Sequence, residues 1–185
     1  MPSSSPYQLT INQPFNENEL RKGLYLVVIR ATQTPPHIGL LIDNSFHSLN
    51  IKGHDINRPA EALFKTMHQK SAPSLFIKIK PHAILDTAEL SNRFVSYINQ
   101  FTRVELEGPT CFSPIKLFFE EVYGVSMKDV TYFYELIPRL KEMNLIEHTS
   151  GLFLEQGVFI LPAYTKEELS KGIATNIAKS KETNE

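Results

Sequence analysis

Cys111 is the single cysteine of the chain. It stands where Gly108-Pro109-Thr110 gives way to an apolar run beginning at Phe112, a junction that predicts a helix starting at the sulfur. A cysteine attacks as its thiolate, and its pKa falls at a helix N-terminus or beside a cationic imidazole. The helix dipole favours negative charge there, and the first backbone N–H groups are placed to form part of an oxyanion hole. A free cysteine is equally a common small core hydrophobe, so position alone supports both roles. His37 is the candidate imidazole. It opens an apolar strand directly after Pro35-Pro36, at a loop mouth, and a cysteine nucleophile needs a histidine near it in space rather than in sequence. A lone histidine on a strand is also commonly structural.

A triad needs a third polar group to orient the ring. The turn residues Asp43-Asn44-Ser45 predict a hairpin that brings residues 46–51 alongside His37. A two-residue loop pairs His37 with Asn50, whereas a three-residue loop centred on Asn44 puts His47 on its face. A one-residue slip exchanges the faces, so His47 and Asn50 both stand as candidates.

Other constellations are weaker. His37, His47, His54, Asp43 and Asp55 are close in sequence, but no pair has the one-turn helical spacing of a zinc enzyme and no thiolate joins them. No metal or cofactor is expected. Lys65, Lys70, Lys78 and Lys80 lack interleaved aromatics, so they read as a solvated face rather than a nucleic-acid platform. Glu120 and Glu121 read as helix surface, and the serines of the PSSSP segment have no nucleophile-elbow context.

The elements that must position Cys111 and His37 follow from the pattern. Leu24–Ile29, His37–Ile42 and Phe46–Ile51 read as strands, and Gly53–Pro59 as a loop. Ala60–Gln69 has a short helical pattern, Leu75–Lys80 alternates as a strand, and a helix capped by Asp86 or Thr87 runs to about Phe101. The cysteine helix ends at Gly124. Ser126 with Asp129 predicts a further helix to about Asn144, kinked at Pro138. A late hairpin spans Leu152 to Leu161, and a last helix runs from Thr165 to Ala178. The expected organisation is a loose arm over residues 1–15, a single α+β domain over 16–178 and a polar tail over 179–185.

Composition sets the outer limits. The chain has 185 residues, with 19 Lys plus Arg against 20 Asp plus Glu and a formal net charge of -1. That balance gives no global basic field for a nucleic-acid backbone. With 42% hydrophobic residues the chain can fill a core, and one thiol excludes an internal disulfide framework. No run approaches the length of a membrane span, and the N-terminus is a poor signal peptide. A soluble, cytoplasmic protein is expected.

Three segments together resemble the circularly permuted papain-like superfamily, which includes permuted NlpC-type peptidases such as the YiiX-like proteins and the lecithin retinol acyltransferase relatives. GLYLVVIRATQTPPHIGLLI is similar to the strand leading into a His-x-Gly strand, FHSLN to the next strand with its polar residue, and TCFSPIKLFFEEVYG to the cysteine helix. The intervening KIKPHAILDTAELSNRFVSYINQF is similar to the strand and helix that precede the cysteine in YiiX-like proteins. The resemblance covers roughly residues 23–124. It implies an antiparallel sheet packed on helices, to which the C-terminal third adds a helix-hairpin-helix segment. It further implies a cysteine hydrolase or acyltransferase acting on a small peptide, amide or ester, with Cys111 as nucleophile, His37 as base and His47 favoured over Asn50 as the orienting group. A non-catalytic interaction domain that keeps the fold is the alternative, and a histidine-based metal enzyme is a more distant one.

Overall fold

The computed structural model describes residues 7–182. Its centre is a seven-stranded mixed sheet in the order β2-β8-β7-β3-β4-β5-β6. The strands are β2 (Gln13–Pro14), β3 (Leu24–Ile29), β4 (His37–Ile42), β5 (Ser45–Asn50), β6 (Gly53–Pro59), β7 (Ser74–Ile79) and β8 (Ile146–Leu152). A separate antiparallel pair joins β1 (Gln8–Ile11) to β9 (Gly157–Ile160). Only the β2–β8 contact of the large sheet is parallel, so the expected all-antiparallel sheet is replaced by a mixed one.

The two faces of the sheet bury different cores. Alternate residues Leu24, Leu26 and Val28 of β3, with Ile38, Leu40 and Ile42 of β4, pack under α3 (Thr87–Ile98), α4 (Phe112–Tyr123) and α5 (Leu136–Glu142). The intervening residues Tyr25, Val27, Leu41 and Phe46 pack under α2 (Ala60–Gln69), whose Leu63, Phe64 and Met67 lie on one side of the helix. Leu20 of the short α1 (Glu17–Leu20) joins this second core. The period-two alternation of strands and the helical spacing of α2, α3 and α4 are the signals that locate these elements in the sequence.

Several expectations are corrected. Residues 8–14 are not a loose arm: β1 and β2 pair with β9 and β8, which lie about 140 to 150 residues further along the chain and leave no local signal. The stretch 53–59 is a strand, polar because it forms the sheet edge and none of its residues is fully buried. The helix expected from Ser126 begins only as a 3-10 turn at Phe133–Glu135 that continues into α5. The Glu135 carboxylate accepts from the N–H groups of Thr131 and Tyr132, which moves the cap downstream and puts Pro138 in the first turn of α5, where its missing donor costs little. The late strands β8 and β9 belong to different sheets instead of forming one hairpin. α6 (Lys166–Glu182) extends through most of the expected tail; the PSSSP segment and residues 183–185 lie outside the described residues. No helix among the described residues is long and apolar enough to cross a membrane.

Candidate functional site

A cleft of about 1170 Å³ opens at the end of the sheet where β3 stops and β4 starts, and both Cys111 and His37 line it. Cys111 lies at the head of α4. The cap is supplied by its neighbour: Thr110 Oγ1 accepts from Phe112 N–H at 3.2 Å, and Ser113 Oγ accepts from Thr110 N–H at 2.9 Å. This reciprocal pair occupies two of the helix's orphan donors and leaves the Cys111 side chain uninvolved in capping. Burial pushes the Cys111 thiol up to about 11, and the backbone N–H groups of Ile38, Cys111 and Phe112 act in the opposite direction.

The β4–β5 hairpin turns through the two residues Asp43-Asn44, with Ile42 opposite Ser45 and Leu40 opposite His47. Asp43 takes φ 51, a left-handed conformation that aspartate tolerates. Its carboxylate ties the turn to neighbouring segments, accepting from Gly23 N–H at 2.9 Å and Thr87 Oγ1 at 2.6 Å. Gly39 permits the hairpin to close, because a Cβ there would lie 2.6 Å from Phe46 Cε2 and 2.7 Å from the His47 carbonyl oxygen.

That register separates the two candidates for the orienting group. His47 shares a face with Leu40 and is 0% exposed in the core beneath α3. Its Nδ1 accepts from Asn57 N–H at 3.1 Å, so Nε2 carries the proton and donates to Ser91 Oγ at 3.0 Å. Burial holds this imidazole down at about 4. Continuing that register past its last pair would put Asn50 opposite His37, and Asn50 lines the cleft, but its amide oxygen accepts from Lys52 N–H at 2.8 Å. The His37 ring is hydrogen-bonded instead to Ser48, with Nε2 and Oγ 3.0 Å apart. Ser48 is 1% exposed and is a diagonal neighbour of His37 across the hairpin. The two-residue loop puts residues 46, 48 and 50 on the His37 face, and this parity is the signal from which Ser48 follows.

His37 itself is held down at about 4, first by burial and then by the guanidinium groups of Arg30 and Arg58. Its Nδ1 has no hydrogen-bond partner among the described residues, and no hydrogen bond joins the ring to Cys111. The two groups share the cleft as a neutral thiol and a neutral imidazole.

Sequence reasoning overlooked Tyr164, which follows Pro162-Ala163 and is 7% exposed in the cleft wall. Burial pushes its phenol up, and the neighbouring Cys111 adds to this. α6 forms the outer wall: Leu169, Ile173, Asn176 and Ser180 recur at helical spacing along the cleft. Its close approach depends on Gly172, where a Cβ would lie 2.3 Å from Pro35 Cδ. The other histidines are dispersed, His54 to the Phe101 carbonyl and His82 to that of Val122. Among the described residues no three His, Cys, Asp or Glu side chains converge as a metal site.

No family model, curated protein or solved structure matches the chain.

Proposed function

We propose that the protein is a thiol-dependent hydrolase or acyltransferase of the permuted papain-like type, working in a reducing compartment such as the cytoplasm on an amide or ester. The supporting observation is that Cys111, at the head of α4, and His37, at the head of β4, line one cleft. His37 Nδ1 takes the thiol proton as sulfur attacks the carbonyl carbon. A carbon–sulfur bond forms, the carbonyl electrons move to oxygen, and the Cys111 backbone N–H, which the Thr110–Ser113 cap leaves free, stabilises that oxyanion. When the intermediate collapses, the bond to the leaving nitrogen or oxygen breaks and His37 returns the proton to it. Water or an acceptor then releases the acyl group from Cys111. Ser48, rather than His47 or Asn50, is the group that orients His37 in this scheme, through the Nε2–Oγ hydrogen bond.

The test is acylation by 4-nitrophenyl acetate followed by intact mass. An acetyl adduct is expected on the wild-type chain, absent in Cys111→Ser and formed roughly 10²-fold more slowly in His37→Ala. No adduct, or equal rates in wild type and His37→Ala, would remove the catalytic reading. The neutral state of both groups favours a second reading, a non-catalytic interaction domain, which predicts that null result.

A further inference from the structure

The chain as a whole carries a formal charge of -1, yet the cleft is cationic. Its acidic lining residues are Asp55 and Glu107, and each is already matched: Asp55 with Arg58 at 3.5 Å, Glu107 with Lys166 at 3.9 Å. Arg30, Lys52 and Lys70 line the same cleft and make no ion pair among the described residues. Two of the cations are built around His37. Arg30 directly follows Ile29, the residue opposite His37 in the β3–β4 ladder. Arg58 stands opposite Phe46, on the Ser48 side of the hairpin, and is held there by bonds to Thr66 Oγ1 at 2.6 Å and the Ala62 carbonyl at 3.2 Å. Lys70 closes the same side at the C-terminal end of α2. Ile29, Leu63 and Met67 supply apolar wall between them.

Concentrating positive charge in a cleft with low-dielectric walls focuses the field and raises the local concentration of anions. Like charges held close together are unfavourable without a counter-charge. We propose that the cleft takes an acyl compound bearing an anionic group, a carboxylate or a phosphoryl group, which lies against Arg30, the cation beside His37 that no carboxylate matches, while the reacting carbonyl faces Cys111. The assignment rests on Cys111 and His37 being the reacting pair, and it adds the charge of the substrate.

The single cysteine makes a direct test possible, independent of turnover. Cys111 is alkylated with iodoacetate and with iodoacetamide, reagents of similar size that differ in charge, and the ratio of rates is compared with that of free cysteine. At ~0.02 M salt the ratio is expected to exceed the free-cysteine value by about tenfold, and to collapse towards it at ~0.5 M salt, where surface charge is screened within a few ångströms. Arg30→Gln is expected to lower it at low salt. A ratio equal to that of free cysteine, or one that salt does not change, would overturn the proposal. The salt series needs no variant, so it stands even if Arg30→Gln fails to fold. Protection of Cys111 by millimolar glutarate or by inorganic phosphate distinguishes the carboxylate from the phosphoryl case, and protection by neither also overturns it. A chain that forms no acetyl adduct but keeps the charge preference would lose the catalytic reading and retain an anion-binding cleft.

Discussion

A thiol held up at about 11 and an imidazole held down at about 4 are both uncharged at neutral pH. The same burial that shelters the pair opposes an ion pair within it. Alkylation of Cys111 by iodoacetamide is therefore expected to be slow at pH 7 and to keep rising towards about 11, with no plateau between pH 5 and 8. A rate that levels off below pH 8 would mean that the thiolate is stabilised by His37 in the resting protein. Ser48 marks how far single residues were legible. Cys111 and His37 stand out by type, since the chain has one cysteine and that histidine opens a strand. A serine within Phe46-His47-Ser48-Leu49-Asn50 carries no such signal, and only the register shows that its hydroxyl reaches the ring. His47 drew attention as a second imidazole, but the parity of the hairpin turns it into the opposite core, where burial keeps it neutral and Asn57 and Ser91 supply its hydrogen bonds.

The β4–β5 hairpin was legible as an element because its turn residues and its apolar runs are local. Its register was not, because one or two loop residues more or less leave the composition unchanged. Gly39 records which register won. With Phe46 and the His47 carbonyl within 2.7 Å of an added Cβ, Gly39→Ala is expected to cost about 1–3 kcal/mol through overpacking. Urea unfolding checks this: the midpoint should fall with the slope unchanged. A midpoint equal to wild type would show that the hairpin shifts freely. α2, α3 and α4 were readable by periodicity, and Asp86 does cap α3, accepting from Glu89 N–H at 2.9 Å. Thr110, the residue before the cysteine, is the one whose hydroxyl caps the helix. β6 escaped notice because an exposed edge strand needs little apolar sequence and gains from polar residues.

For the whole molecule, the lowered imidazoles of His37 and His47 make folding sensitive to acid. Each has a folded pKa of about 4 against an ordinary 6.5, so between those values the unfolded chain binds more protons. Stability then falls as pH drops through that window. For fully buried His47 the loss approaches about 3 kcal/mol. Urea unfolding at pH 7 and pH 4.5 should show the loss. His47→Gln, whose amide oxygen and nitrogen can repeat the bonds to Asn57 and Ser91, should reduce the difference, and an unchanged difference would place its origin elsewhere. The mixed α+β class was legible from the alternation of strand and helix patterns, whereas the strand order was not, because pairs between distant segments leave no mark on either one. The β7–β8 contact shows what that order entails. β7 is almost wholly buried and apolar, Leu75-Phe76-Ile77, and β8 covers one of its sides. A growing polypeptide that has emerged only as far as residue 124 holds the cysteine helix and the histidine strand, but presents β7 as a bare, sticky margin. Synthesis must run past residue 152 before that margin is sealed, so the segments that carry the chemistry are made first and wait for the last third of the chain to protect them.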